Sequence, residues 1–262
     1  MNPRAVLAAF DEQIRRNPEA GSPDRHVERG GTVIRSVPAA GDGWAGVTWS
    51  DLNEHNADAA IAAQVHRFAQ RPGSWEWKHY SYDQPADLPT RLVAAGFTPE
   101  PAETLLVAEI ADLDLDVKPP EGVEIVPVHD GPGVAAVSSV HDVVFGGDHS
   151  ALSRYLLAGL TARPSTVAAA VAMAGTTPVA AGRVEFSPGT DFASIWGGGT
   201  VREWRGRGVF RALVAHRACL AAERGFRYLQ VDASTDSRPI LRRLGFVELA
   251  TTTPFVHPGG SS

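Results

Sequence analysis

Apolar positions recur along this chain at two spacings, and the order of the two spacings predicts how the chain folds. Segments that alternate apolar and polar residues, or run apolar throughout, predict strands at 32–37, 45–49, 75–82, 104–110, 123–128, 166–173, 179–186, 193–196 and 226–231. Apolar residues three and four positions apart predict helices at 1–17, 59–69, 87–95, 134–144, 150–160 with Ser150 as N-cap, 209–224 and 239–244. Helices and strands that alternate in this way favour an α/β fold.

The most informative stretch runs from Trp196 to Leu213 and reads WGGGTVREWRGRGVFRAL. Three glycines end a short apolar strand, and the turn Arg205–Gly208 then leads into an amphipathic helix. Glycines leave room for a ligand to approach closely, and the unpaired N–H groups and the dipole at the start of a helix favour an anion. The stretch therefore predicts an anion site, most often one for phosphate. It has neither the Gly-Lys-Ser/Thr of P-loop NTPases nor the Gly-x-Gly-x-x-Gly of dinucleotide-binding proteins.

This loop resembles the pyrophosphate-binding segment of the GNAT superfamily of N-acetyltransferases, whose pattern is Arg/Gln-x-x-Gly-x-Gly/Ala. Arg205, Gly208 and Val209 match that segment, whereas Phe210 stands where the family prefers glycine or alanine. The elements predicted from 122 to 258 also follow the family's order. The resemblance implies the GNAT acyl-CoA N-acyltransferase fold, a central mixed sheet flanked by helices, for this part of the chain.

The domain organisation follows from a change of composition along the chain. The acidic, proline-rich segment 114–121 predicts a linker between a domain at 1–113 and a domain at 122–258, and residues 259–262 are predicted to form a flexible tail. With an offset of about 150 residues the first domain repeats the end of the second in outline. The matched pairs are Asp83/Asp232, Leu92/Leu241, Gly96/Gly245 and Phe97/Phe246. Because the first domain lacks the phosphate loop, we interpret it as a smaller partial GNAT-like domain that binds no cofactor.

The resemblance also implies acetyl-CoA as the cosubstrate, without a metal. The family holds the pyrophosphate with backbone amides, here from about Gly206 to Arg211, and polarises the thioester with N–H groups of the central strand, here near Thr200 and Val201. Gly197–Gly199 suit a strand that parts from its neighbour, because glycine within a strand marks a bulge or a close backbone approach. The implied cofactor-binding residues are Thr200, Val201, Arg205, Gly206, Arg207, Gly208, Val209, Phe210, Arg211 and Ser234.

The general base and the general acid are less clearly marked. Many family members place a glutamate on the central strand, but this strand carries no acid, so Glu185 at the end of the preceding strand is one candidate base and can act through a water. His141 is the other, because an imidazole with a pKa near ~6.5 accepts a proton at neutral pH. At the position where many members carry a tyrosine that acts as the general acid, this chain has Leu241. Ser237 or Ser234 can protonate the leaving thiolate instead, or only bind the cofactor.

Composition narrows the range of partners and compartments. A net charge of −6 argues against nucleic acid as the main partner, since phosphate backbones recruit basic surfaces. The single cysteine, Cys219, excludes an internal disulfide and a thiolate metal cluster, and its apolar helical neighbours predict a buried structural thiol. The sequence shows neither a signal peptide nor an apolar run of about 20 residues, which predicts a cytoplasmic protein without a membrane partner. A homodimer is left open.

Together these features predict an acetyl-CoA-dependent N-acetyltransferase that moves an acetyl group to a primary amine by direct attack on the thioester. The acceptor is predicted to be a small molecule or a protein amine. The alternative is a catalytically degenerate acyl-CoA-binding regulatory module, which Leu241, Phe210 and the acid-free central strand favour. The loop does not separate the two, because both would bind CoA.

Overall fold

The computed structural model describes residues 1–18, 25–39, 43–162 and 164–259. Its α-helices are α1 (Pro3–Phe10), α2 (Ala57–Phe68), α3 (Leu88–Ala94), α4 (Gly131–Phe145), α5 (Ser150–Thr161), α6 (Val209–Glu223) and α7 (Arg238–Arg243). Its strands are β1 (Arg25–Gly30), β2 (Val33–Pro38), β3 (Gly46–Ser50), β4 (Trp75–Tyr80), β5 (Thr98–Pro99), β6 (Glu103–Glu109), β7 (Val123–Val128), β8 (Val167–Ala174), β9 (Thr177–Phe186), β10 (Phe192–Thr200), β11 (Tyr228–Ala233) and β12 (Val247–His257). The mixed α/β fold predicted from the sequence is confirmed.

Several local features differ from the prediction. Ser150 is the first residue of α5 rather than its cap, since His149 occupies the N-cap position and Asp148 accepts the N–H of Ser150 at 2.8 Å. Strand β10 does not stop before the glycines but continues through them to Thr200. Strand β1 was not predicted, because its residues are exposed or half-buried and form no apolar face. Of the predicted tail, residues 260–262 lie outside the described part of the chain.

The chain divides into two compact units, and each is built from separate stretches of sequence. The C-terminal unit contains Val107–Val231 and Ile240–Val247, and Met1 is grouped with it. The N-terminal unit contains Asn2–Leu106, Asp232–Pro239 and Glu248–Ser262. The boundaries that the sequence predicts, with a linker at 114–121, stay a prediction, because compact packing does not by itself define a domain that folds alone.

In the C-terminal unit the strand order is β11-β10-β9-β8-β7. Neighbouring strands pair antiparallel, except that β10 and β11 pair parallel. Successive side chains of a strand point to opposite faces, so Val171 and Ala181 pack against α4 and α5, whereas Ala170 and Ala180 pack against the start of α6. Both faces of this sheet are therefore covered, and β10 lies between α4 and α6.

In the N-terminal unit the strand order is β1-β2-β3-β4-β12. Strand β12 comes from far along the chain, and it pairs antiparallel with β4 over 252–257 and 75–80. It contributes Phe255 to a buried aromatic core that also contains Trp77, Phe97 and a stacked pair, Phe68 and Trp75, with ring centroids 4.3 Å apart. The N-terminal unit is therefore incomplete without residues that follow α7 in the sequence.

Replacing Phe255 with alanine is expected to lower the free energy of unfolding by about 3–5 kcal/mol, because the ring is buried in this aromatic core. Urea unfolding followed by far-ultraviolet circular dichroism measures the change. Val93→Ala is the control in the same unit, and because Val93 is 50% exposed it should cost less than about 0.5 kcal/mol. Equal losses in the two variants would show that β12 does not build this core.

Candidate active site

Strands β10 and β11 run side by side for a short distance and then part. Their ladder joins Phe192, Ala193 and Ser194 to residues 228–230, whereas β10 itself continues to Thr200. Both strands lie wholly within the described residues, and no further pair joins them. Beyond Ser194, the backbone groups on this side of β10 face an opening rather than a neighbouring strand. An extended ligand can pair with such groups as an added strand pairs with a sheet edge.

The glycines Gly197–Gly199 form a bulge in β10, where the pairing with β9 shifts in register. Gly197 has φ +57°, in the left-handed region that favours glycine. A Cβ on Gly197 would lie 2.7 Å from the ring of His141, and a Cβ on Gly198, on the opposite face, would lie 3.0 Å from the ring of Phe210. The bulge predicted from these glycines is confirmed, and the space on both faces admits no larger residue without a shift of the neighbours.

The two predicted thioester donors differ in their backbone geometry. The N–H of Val201 donates to the carbonyl of Val179 on the β9 side at 2.9 Å, so it is already used in the sheet. Successive N–H groups of a strand point to opposite sides. The N–H of Thr200 therefore points away from β9, toward the side on which β10 has parted from β11. Of the two predicted groups, the one that faces the opening is that of Thr200.

The predicted phosphate loop has the backbone of an anion cradle. Gly206 and Gly208 have φ of +73° and +88°, and within the described residues no atom lies within 4 Å of a Cβ built on either of them. Gly208 is the N-cap of α6, and the first helical hydrogen bond runs from the N–H of Ala212 to its carbonyl at 3.0 Å. Helix geometry leaves the preceding N–H groups, those of Val209–Arg211, without partners inside the helix. Unpaired N–H groups at the start of a helix favour an anionic ligand.

Three arginines place positive charge around this cradle. The Nε of Arg205 donates to the carbonyl of Thr200 at 3.0 Å, which ties the loop to the end of β10. The guanidinium of Arg207 lies 4.8 Å from the ring centroid of Trp204. The guanidinium of Arg211 forms an exposed ion pair with Asp114 at 2.8 Å. The exposed side chains of Arg205 and Arg207 and the helix start together favour a negatively charged ligand.

His141, on α4, rests against the glycine bulge. Its ring is buried, and Nε2 lies 2.9 Å from the carbonyl oxygen of Gly197. Because a carbonyl oxygen can only accept a hydrogen bond, Nε2 carries the hydrogen, and Nδ1 is the basic nitrogen of the neutral ring. Burial lowers the pKa of His141 below 6.5; the bond to Gly197 opposes this change, and the charges of His149 and Arg183 reinforce it. At neutral pH His141 therefore presents an unprotonated nitrogen.

The structure brings the two candidate bases, Glu185 and His141, to one face of the sheet through Arg183. The Nε of Arg183 donates to Glu185 at 2.7 Å. Its Nη1 lies 3.1 Å from the position of a Cβ on Gly197, the same position that the His141 ring approaches to 2.7 Å. Arg183 was missed in the sequence, where it stands as one charged residue within a strand.

Ser234 and Ser237 belong to the N-terminal unit, close to the start of α7. Their hydroxyl oxygens lie 3.2 Å apart, and either can donate to the other. Neither serine is therefore a residue of the C-terminal unit, which contains the glycine bulge. Leu241, where many family members carry tyrosine, is a buried apolar residue of the C-terminal unit.

Arg217 is a second residue that sequence reasoning missed. It lies on α6 with 1% of its surface exposed, and burial lowers its pKa, as does the charge of Arg183. Its Nε donates to the carbonyl of Leu213 at 3.0 Å, and its Nη1 donates to those of Arg183 at 3.3 Å and Trp196 at 3.5 Å. Nη2 has no hydrogen-bond partner among the described residues. An arginine four residues after Leu213, on the apolar face of the predicted helix, was the signal that could have revealed it.

Cys219 is half-buried, and its thiol donates to the carbonyl of Leu115 at 3.4 Å. Burial raises its pKa, so the thiol is not activated as a nucleophile. Across residues 1–18, 25–39, 43–162 and 164–259, no group of three or more His, Cys, Asp and Glu side chains is placed to hold a metal ion. In that same part of the chain no helix combines the length and the apolar character needed to cross a membrane.

No protein-family model and no curated protein sequence matches this chain. Solved structures do match its fold. A GCN5-related N-acetyltransferase from Kribbella flavida is 20% identical, with a TM-score of 0.70 over 98% of this chain and 95% of that one. A tandem GNAT protein from the clavulanic acid biosynthesis pathway is 16% identical, with a TM-score of 0.60 over 100% and 97%. A GCN5-related N-acetyltransferase from Sphaerobacter thermophilus is 15% identical, with a TM-score of 0.60 over 100% and 96%.

These matches cover nearly the whole chain. The protein therefore has the fold of the GCN5-related N-acetyltransferases, and one of the proteins that share it is a tandem GNAT protein. The GNAT resemblance predicted from the loop is confirmed for the fold.

Nuclear magnetic resonance of the ¹⁵N-labelled protein is expected to show neutral His141 as the Nε2–H tautomer, with a pKa below 6.5, because burial disfavours the imidazolium form. His141→Gln identifies the resonance by its loss. An Nδ1–H tautomer would contradict the hydrogen bond to Gly197, and a pKa above 6.5 would contradict the effect of burial.

Proposed function

We propose that this protein is an acetyl-CoA-dependent N-acetyltransferase that moves the acetyl group to a primary amine by direct attack on the thioester. The observation that carries the proposal is the parting of β10 from β11 next to the glycine loop that begins α6. The fold alone does not define an activity. A strand opening, a bulge and an anion cradle on consecutive segments are what an acyl-CoA with its pyrophosphate and extended arm requires.

The donor groups of the site fit acetyl-CoA. The N–H groups of Val209–Arg211 and the open space above Gly206 and Gly208 suit a pyrophosphate. Phe210 does not fill that space, because its ring lies against Gly198 on the underside of β10. When bound, acetyl-CoA supplies an acetyl group already activated as a thioester.

The residues of the chain then have distinct roles in the proposal. The N–H groups at the start of α6, with Arg205 and Arg207, bind the pyrophosphate. The N–H of Thr200 donates a hydrogen bond to the thioester oxygen, where negative charge develops during attack.

Proton removal is proposed for His141. An amine must lose its proton before it can attack, and Nδ1 of His141 is the basic nitrogen beside the bulge. Its lowered pKa keeps it unprotonated at neutral pH. Glu185 is the second candidate, although its carboxylate already accepts from Arg183. The leaving thiolate needs little help, since a thiol has a pKa near ~8.5, and the assignment of its protonation to Ser237 stays a prediction from the sequence.

The competing function, an acyl-CoA-binding regulatory module without turnover, is favoured by one observation. Leu241, fully buried and apolar, stands at the position where an acidic tyrosine serves many GNAT enzymes. Turnover separates the two functions, because both require the same CoA site.

Gly208→Glu is expected to weaken acetyl-CoA binding at least tenfold, because it places a negative charge beside the pyrophosphate and a side chain at φ +88°. Isothermal titration calorimetry measures the dissociation constant. The control is Gly175→Glu in the β8–β9 turn, where φ is +60° and the space is also open. It carries the same charge and strain but should leave the affinity unchanged. Unaltered affinity in Gly208→Glu would locate the CoA site elsewhere.

His141→Gln is expected to lower kcat by about 10²-fold, because the proton acceptor is lost. Acetyl-CoA affinity should be unchanged. In the wild-type protein kcat should fall as the pH drops below 6.5, because protonation removes the accepting nitrogen, and this acid limb should vanish in the variant. Initial-rate assays of thiol release across pH 5–8 test this pH dependence. Turnover that neither His141→Gln nor Glu185→Gln reduces would remove both base candidates.

A further inference from the structure

The amine site beside the bulge carries a cation whose hydrogen-bonding capacity is only partly used. We propose that the acceptor is an amine that also bears a carboxylate, an amino acid or a close relative, and that Arg183 binds this carboxylate. The proposal rests on the acetyltransferase function and names the class of its acceptor.

Arg183 has nitrogens left for a ligand. Its Nε donates to Glu185 at 2.7 Å, whereas Nη1 and Nη2 make no hydrogen bond to any residue that the structure describes. The side chain is 18% exposed, so a small molecule in solution can reach it. A guanidinium with two free nitrogens side by side matches the two oxygens of a carboxylate.

The position of Arg183 suits an acceptor. Its Nη1 and the His141 ring converge on the same point above Gly197. Its ion-pair partner Glu185 lies opposite Ser194, the last residue of β10 that is paired with β11. A carboxylate on Arg183 would therefore hold a nearby amine beside the proposed base and next to the opening between the strands.

The charges at this place favour a zwitterion over a simple cation. Arg183 and Glu185 present one positive and one negative group side by side, and His141 is neutral at pH 7 because burial lowers its pKa. A polyamine or a lysine side chain would meet a like charge at Nη1 and Nη2 of Arg183, since only Nε is bound to Glu185. A molecule with one ammonium and one carboxylate pairs with both groups.

Aromatic rings frame the same cation. The guanidinium carbon of Arg183 lies 5.9 Å from the ring centroid of Tyr155 and 6.0 Å from that of Trp196. These rings flank the guanidinium. They also offer an apolar wall to the carbon skeleton of a small acceptor.

The experiment compares acceptors that differ only in the carboxylate. Glycine, β-alanine, phenylalanine and glutamate are each assayed with the full-length chain and acetyl-CoA against the methyl ester and the amine that lacks the carboxylate. Thiol release gives kcat/KM. For each acceptor that is acetylated, kcat/KM of the free acid should exceed that of its methyl ester at least tenfold. Arg183→Gln should bring this ratio to about one, mainly by raising KM, and Arg183→Lys should restore part of it.

Arg154→Gln is the matched control, because Arg154 is an exposed arginine on α5 and its loss should leave the ratio unchanged. Esters or plain amines that react as well as the acids, or a ratio that survives in Arg183→Gln, would overturn the proposal. So would a panel in which no acid is acetylated and none binds the acetyl-CoA complex in ligand-observed magnetic resonance. Calorimetry distinguishes a failure of the acceptor proposal from a failure of the acetyltransferase function. If acetyl-CoA still binds, only the acceptor proposal is overturned. If acetyl-CoA does not bind, the acetyltransferase function is overturned as well.

Discussion

The break in the pairing of β9 and β10 is held by a buried guanidinium, and the candidate site depends on it. Nη1 of Arg217 donates to the carbonyls of Arg183 and Trp196, one on each strand. A Cβ on Gly182 would lie 2.8 Å from this guanidinium, too close without a shift, and a Cβ on Gly198 would lie 3.3 Å from it, a tight contact. The guanidinium thus adds hydrogen bonds to the carbonyls of the last β9–β10 pair before the register shift.

Arg183 links the two layers that meet at this break. Its backbone carbonyl accepts from Arg217 on the α6 side of the sheet, while its side chain lies beside His141 on the α4 side. The proposed CoA cradle at the start of α6 and the proposed amine site are thus joined through one residue of β9. Burying a charge without a carboxylate partner costs free energy. Among the described residues, the partners of Arg217 are all backbone carbonyls, and its Nη2 has no partner. Arg217 therefore carries this free-energy cost at the register shift of β9 and β10, where it fixes the geometry of the site.

The features that the sequence predicted are local, and those that it missed join distant residues. Gly197–Gly199 and the loop before α6 carry their backbone requirements in the residues themselves, so spacing alone revealed them. The contact of His141 with Gly197 spans 56 positions, and that of Arg217 with Arg183 spans 34, so neither follows from any window of sequence. The residue type of Ser150 suits a cap, but Ser150 lies one position inside the helix, where its own N–H donates to Asp148.

The pairing of β12 with β4 constrains how this chain can be synthesised. The N–H of Thr251 bonds to Ser81, 170 positions earlier, and Phe255 fills the core beside Trp77. During translation β4 emerges long before its partner, with one hydrogen-bonding edge and an apolar face uncovered. The unit that is made first is thus completed last. Until β12 is made, the uncovered edge of β4 is open to pairing with the edge of another nascent chain on the same messenger RNA.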